Sequence, residues 1–210
     1  NNDGIETLAY LLNSKRDAVR ELMGYLRETT SQPAMAQKRK KEQQRNEAET
    51  RAKEKSEVIR KKANLTQIAN RCVDGFDGDD ALLMRYFNHR KLANMASDDI
   101  PADVFLVEDL KYYHESDKGI SEGVFPAMVS AVRNSKNEIV SFHRTYLSHT
   151  GSKAEVEDPK KLMESIRTIS EGAIRLYQPN KVLGLAEGIE TAIAVRSATK
   201  MPIWSTINAN

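Results

Sequence analysis

The chain has a single cysteine, Cys72, in 210 residues. One thiol excludes an intrachain disulfide framework and cannot by itself form a zinc site, so a reducing compartment is the natural expectation. Long hydrophobic runs are missing as well. The longest apolar stretches fall far below the roughly 18 residues that a membrane helix needs, and the polar start "NNDGIETL" lacks the basic-then-apolar layout of a secretory signal. A cytoplasmic protein without a membrane partner is expected. Glycine and proline are absent from Ala34 to Ala69, where strong helix formers dominate, so a long helix is expected there. Aromatic residues are absent from the same stretch, which excludes a stacking platform of the kind single-strand binders use.

What is present is charge, and it is unevenly placed. Residues 37–62 hold eleven Lys or Arg and five Glu, a net +6, whereas the rest of the chain carries 21 basic and 25 acidic residues. Two readings of this segment stand side by side. It is a solvated spacer helix supported by i,i+4 charge pairs, or its excess cations, Lys38, Arg39, Lys40 and Lys41 among them, track a phosphate backbone. Before it, Leu8, Leu11 and Leu12 share one helical face, and Val19, Leu22, Met23 and Leu26 another. These predict two short helices over residues 4–28, broken from the long one at "TTSQP", where Pro33 suits an early helical position.

The stretch "VDGFDGDD" punctuates the chain and offers Asp residues to cap a helix at "ALLMRYFNHR", whose packing face is Leu82, Leu83, Tyr86 and Phe87. Strands follow at "DVFLVEDL", "GVFPAMVSAVR" and "IVSFHRTYL", the last two joined as a hairpin through "NSKNE". Shorter strands are expected at "KKLM", "AIRLY" and "VLGLA", then a helix from about Gly188 to Thr199. A final strand at "PIWST" has nothing after it to cover or pair it. The fold class is mixed α/β.

Glu187 stands where the apolar "LGLA" hands over to that helix. In parallel α/β sheets, ligands collect beyond the carboxyl ends of strands, and Gly188 would let the backbone turn sharply without blocking access. A carboxylate there can act as a general base or hold a divalent cation. It can equally be a first-turn acid that complements the helix dipole.

The segment "LGLAEGIETAIAVRSATKMPIWSTINA" resembles the opening half of a Toprim domain, the fold shared by bacterial-type primases, type IA and type II topoisomerases and certain nucleases. Its "AEGIETA" form is similar to the primases of phages and plasmids, including satellite-phage primase-helicases. The stretch "VFPAMVSAVRNSKNEIVSFHRTYLSHTGSKAEVEDPKKLM" resembles the subdomain that precedes Toprim in such primases, and "NNDGIETLAYLLNSKRDAVRELMGYL" the helical segment after their zinc ribbon, where an Asp-Gly opens the first helix. The organisation this implies is a helical segment at 1–30, a charged helical linker at 31–72, a primase-like subdomain at 73–178 and half a Toprim fold at 179–210.

The resemblance implies Glu187 as an active-site acid and metal ligand, with Arg144 and Lys160 as catalytic cations on phosphate. Lys161 and Arg133 are candidate nucleic-acid contacts beside them, and so, on charge alone and with no motif of that family in the segment, are Lys38, Arg39, Lys40 and Lys41. The cofactor would be Mg²⁺ or Mn²⁺, on a site completed by an Asp-x-Asp beyond residue 210, and any Zn²⁺ would lie in a segment before residue 1. The partners would be a single-stranded DNA template, ribonucleoside triphosphates and a fused or separate replicative helicase, in a bacterial cytoplasm. From the residues alone, Arg144 can also lay its stem along the sheet beside Phe142 and Tyr146. Lys160 and Lys161 can be ordinary surface charges, and His143, on the opposite strand face, a core or surface histidine. Two other functions remain open: a non-catalytic nucleic-acid-binding or assembly module, and a different Toprim enzyme of the nuclease or topoisomerase kind.

Overall fold

Helical propensity without an apolar stripe gives a helix that stays in water, and residues 35–60 form one. The computed structural model describes residues 4–78, 80–92, 99–113, 121–167, 169 and 172–207. The chain divides into two compact units, Asn1–Glu57 and Val58–Asn210. Its first helices are α1 (Gly4–Leu11) and α2 (Lys15–Ala69). The break expected at "TTSQP" does not occur, because α2 runs through Pro33. An interior proline removes one helical hydrogen bond and costs about 3 kcal/mol, a penalty that long flanks of good helix formers can absorb. Asp3, the acid of the Asp-Gly expected to open α1, lies outside the described residues. In the first unit, Arg45 pairs with Glu49 at 3.0 Å and Gln43 donates to Glu47, both at i,i+4 spacing. Lys38, Arg39, Lys40 and Lys41 are exposed.

In the second unit, α3 (Leu82–His89) is followed by β1 (Val104–Tyr113), β2 (Ser121–Arg133), β3 (Ile139–Tyr146), β4 (Lys160–Leu162), β5 (Ala173–Ile174) and β6 (Gly184–Ala186). The helix α4 (Ile189–Thr199) and the strand β7 (Ile203–Ser205) complete it. Leu83, Tyr86 and Phe87 are the buried face of α3, as their spacing predicts. The acidic cap does not form. Ala81 occupies the N-cap without a side-chain bond, and Asp74 instead accepts from the Phe76 amide at 2.8 Å, which seats the buried Phe76 ring. Asp79 is outside the described residues.

The β2–β3 hairpin turns where the sequence places it. Asn134 Oδ1 accepts from the Lys136 and Glu138 amides at 3.0 and 2.9 Å, and Asn137 takes a left-handed φ of 65°, a conformation that Asn tolerates better than most residues. The strands form one mixed sheet in the order β4-β3-β2-β5-β7-β6, with β1 also on β2. Pairing is antiparallel except between β6 and β7, which are parallel neighbours joined through α4. The final strand is therefore not left unpaired: β7 lies between β5 and β6. Its partners all precede it in sequence.

Side chains alternate across this sheet with period two. Met128 and Val132 join α3 and α4 residues such as Leu83, Phe87, Ile189 and Ile193 in one core. On the other face Ala127, Val129, Ala131, Phe142 and Tyr146 pack with Leu65 and Ile68 from the end of α2. Packing under α3 leaves no slack at Gly75, where an added Cβ would come within 2.6 Å of Leu83 Cγ and 2.8 Å of Leu106 Cβ. Gly75→Ala is expected to lower stability by about 1–3 kcal/mol, read as an earlier midpoint in urea denaturation. An unchanged midpoint would mean that the Leu83 contact relaxes freely.

Candidate functional site

The parallel β6–α4–β7 element places Glu187 one residue beyond the carboxyl end of β6, immediately before the Gly188 N-cap of α4. Ser205 Oγ, from β7, donates to the Glu187 carbonyl at 2.9 Å and pins the strand-to-helix turn, while the Glu187 side chain is exposed. The turn does not need glycine for its backbone: Gly188 has φ −106° and ψ 149°, extended values open to any residue. A Cβ there would point into the cleft, 3.7 Å from Thr191 Oγ1 and 3.8 Å from Glu190 Oε2. Access, not conformation, is what Gly188 supplies.

Glu187 borders a cleft of about 420 Å³ whose other polar walls are Arg90, His143, Lys160, Glu190 and Thr191. Small-molecule sites have volumes of this order. Lys160 arrives from the edge strand β4. Its Nζ donates to both carboxylate oxygens of Glu190, at 2.8 and 3.1 Å, and Tyr86 Oη donates to the same carboxylate at 2.7 Å. The Glu190 side chain is only 13% exposed. Burial pushes its carboxyl up, but the bonds from Lys160 and Tyr86 and from its own amide outweigh that and hold it at about 2. Burial, and then the same carboxylate, push the Tyr86 phenol well above its usual range. Burial, then the positive charge of Lys160, lowers the His143 imidazole to about 4, so it is neutral near pH 7. Its Nδ1 is buried without a hydrogen-bond partner, as are Ser130 Oγ and Thr145 Oγ1. Ser130 is the cross-strand partner of His143, and Thr145 lies two residues along the same strand face.

The sheet brings some of the sequence-selected residues together and separates others. Glu187 and Lys160 share the cleft. Arg144 does not, because adjacent strand residues point to opposite faces. With Phe142 and Tyr146 it lies on the α2 side, where its Nη1 donates to Tyr146 Oη at 3.3 Å and its guanidinium sits 5.9 Å from that ring. Lys161 is on that side too, donating to the Tyr113 carbonyl at 2.8 Å with its ammonium 4.5 Å from the Tyr112 ring. Together they border a second cleft of about 370 Å³ with Tyr113 and Asp158, which Lys160 also reaches from the sheet edge.

Arg133 belongs to neither cleft. Its guanidinium is bound to the buried Asp103 at 2.8–3.1 Å and to the Asn137 carbonyl at 3.0 Å, an ion pair that fastens the hairpin to the start of β1. Cys72 is a half-buried free thiol, and burial raises its pKa.

Sequence reasoning did not single out Glu190, Tyr86 or Arg90. Glu190 is visible in "EGIE" as a second acid one helical step past Glu187, but Tyr86 reads as a core aromatic and Arg90 as a helix-end charge. A divalent cation does not fit this cleft on the residues described. Glu190 is already held by Lys160 and Tyr86, and no group of three His, Cys, Asp or Glu side chains converges among the described residues, whereas Mg²⁺ needs several oxygen ligands. Among the described residues, no helix is long and apolar enough to cross a membrane.

A family profile described as a domain of unknown function (DUF7146) matches residues 59–176. No curated protein and no solved structure matches the chain. The match takes in the last turns of α2, α3 and the strands β1 to β5, and so includes Arg90, His143 and Lys160 of the cleft but not Glu187. With more than half of its residues inside that match, the chain belongs to the DUF7146 family.

Proposed function

We propose that this chain belongs to a primase of the phage and plasmid type, which joins ribonucleotides into a primer on single-stranded DNA, and that the Glu187–Lys160 cleft faces the reacting phosphates. One observation carries the reading. Glu187 and Lys160, picked from two separate stretches of sequence for work on the same phosphates, line one cleft in the fold.

In this reading the exposed Glu187 carboxylate accepts the proton of the attacking hydroxyl as its oxygen bonds to the α-phosphorus of the incoming nucleotide, and the bond from that phosphorus to the bridging oxygen breaks to release pyrophosphate. The Lys160 ammonium, held by Glu190, meets charge that builds on the phosphate oxygens. Neutral His143 orients the ligand by hydrogen bonding without adding charge. A divalent cation would supply neutralisation of phosphate charge, but the acids among the described residues do not suffice to hold one. Arg144 and Lys161, on the opposite sheet face, are left for contacts with the template strand, and the exposed run Lys38, Arg39, Lys40 and Lys41 for less specific phosphate contacts.

The test is primer synthesis on single-stranded DNA by the full-length protein and its Glu187→Ala variant. Loss of a positioned general base lowers rates by about 10²–10⁴-fold, so primer yield from the variant is expected to fall below a hundredth of the parent's. Equal yield would remove Glu187 from the chemistry.

A further inference from the structure

The first unit exposes apolar side chains that the chemistry of the Glu187 cleft does not use. Among the described residues of α1 and the first turns of α2, Ala18 alone is buried, whereas Leu11, Leu12, Val19, Leu22, Met23 and Leu26 are 37–72% exposed. The stripe on α2 has a particular order. Val19, Leu22, Met23 and Leu26 follow spacings of three, one and three residues, which places them on one helical face. That order reads the same from either end. A twofold axis crossing the helix between Leu22 and Met23 therefore carries the stripe onto itself, with Val19 of one copy against Leu26 of the other and Leu22 against Met23. An isologous interface, in which one patch meets its own copy, has this requirement.

Charge favours the same occupant. Residues 4–28 carry four basic and four acidic residues, so the segment has no net charge to draw it to nucleic acid or to an anionic lipid surface. With two α2 helices antiparallel, the exposed runs Lys38, Arg39, Lys40 and Lys41 lead away from the axis in opposite directions. At 1.5 Å of rise per residue they stand about 45 Å apart, well beyond the screening length of about 10 Å at moderate salt. A parallel pair would set the two runs side by side. The exposed area is also of the right size. The six side chains offer on the order of 500 Å² of apolar surface per copy, close to the apolar share, about 65%, of the roughly 800 Å² that each partner buries in a stable interface.

We propose that a second copy of this chain covers this face, through antiparallel pairing of the two α2 helices about an axis between Leu22 and Met23. The interface does not depend on the reaction assigned to the Glu187 cleft.

The experiment is analytical ultracentrifugation of the full-length protein over a concentration series, joined to cross-linking of single-cysteine variants. The parent should sediment as a dimer that dissociates on dilution. Leu22→Glu should raise the dissociation constant about thirtyfold or more, since a charge at the centre of the patch enters the interface twice. Position 22 is exposed and Glu is a good helix former, so helicity by circular dichroism should be unchanged. Gly24→Ala alters the other side of the helix, where an added Cβ meets nothing within 4 Å, and should leave the dissociation constant within about twofold. In a Cys72→Ser background under a mild oxidant, Met23→Cys, beside the axis, should form a covalent dimer. Arg16→Cys, about 20 Å from its counterpart along the helices, should not. A parent that stays monomeric throughout the series, a dimer that Leu22→Glu leaves intact, or cross-linking at residue 16 equal to that at residue 23 would overturn the proposal. So would a monomer that sediments with vesicles of phosphatidylcholine and phosphatidylserine and loses that binding in Leu22→Glu, which would assign the face to lipid.

Discussion

Replacing Lys160 with methionine is expected to destabilise the folded protein by about 3 kcal/mol. Breaking a buried ion pair from one side costs roughly 3–5 kcal/mol, because the partner is left charged and desolvated. The low end of that range applies here, since the Lys160 side chain is 36% exposed against 13% for Glu190. Tyr86 would still donate to Glu190, but one phenol cannot replace an ammonium that bonds both oxygens. The variant's Glu190 should then take up a proton at a higher pH than in the parent. The check is urea denaturation of the parent, Lys160→Met and the double variant Lys160→Met with Glu190→Leu. The double variant should recover much of the loss, because replacing both members of a buried pair with apolar groups is often neutral. If Lys160→Met is as stable as the parent, the pair is a surface contact and Glu190 does not position Lys160.

Acidification is expected to weaken the fold in two steps. His143 has an ordinary value of 6.5 and is held at about 4 in the fold, so between those values the unfolded chain binds the proton more readily. Stability from this group is complete above about pH 6.5 and is lost as the pH falls toward 4. Glu190 has an ordinary value of 4.5 and is held at about 2. Its contribution is complete above about pH 4.5 and is lost as the pH falls toward 2. Each window corresponds to at most roughly 3 kcal/mol, and both have the same sign. Denaturation midpoints measured from about pH 7.5 down to pH 4 should therefore decline, and His143→Gln should flatten that decline while leaving the lower window in place. A parent midpoint independent of pH across this range, or an unaltered slope in the variant, would contradict a buried neutral imidazole.

Much of the architecture was legible because it depends on near neighbours in sequence. Alternating apolar residues mark β1, β2 and β3, and "NSKNE" turns because Asn134 bonds amides two and four residues ahead. The α3 face, Leu83, Tyr86 and Phe87, follows from helical spacing. Local cues misled where a competing interaction was equally local. A break was expected at "TTSQP", with Pro33 early in a new helix, yet one helix continues through it, and an aspartate cap was expected before α3, yet Asp74 bonds the Phe76 amide instead.

The site was half legible. Glu187 and Lys160 could be chosen from the sequence, but the bond between Tyr86 and Glu190 joins residues 104 apart, a contact that no short-range pattern reveals. Arg144 and His143 show the limit most plainly. Strand alternation says that they face opposite ways, but not which of the two faces holds the cleft. That depends on α3 and α4 packing on the His143 side and the end of α2 on the other.

By itself, then, the sequence determined the mixed α/β class, the order of the elements and the placing of a carboxylate at the handover from β6 to α4, because propensity, periodicity and turn chemistry act over a few residues. Only the tertiary structure decided that β7 lies inside the sheet, that Arg133 is tied to Asp103, and that Lys160, Glu190 and Tyr86 form one network beside Arg90. Those outcomes depend on which strands pair and which helix covers each face, choices made by burial of apolar surface across the whole chain.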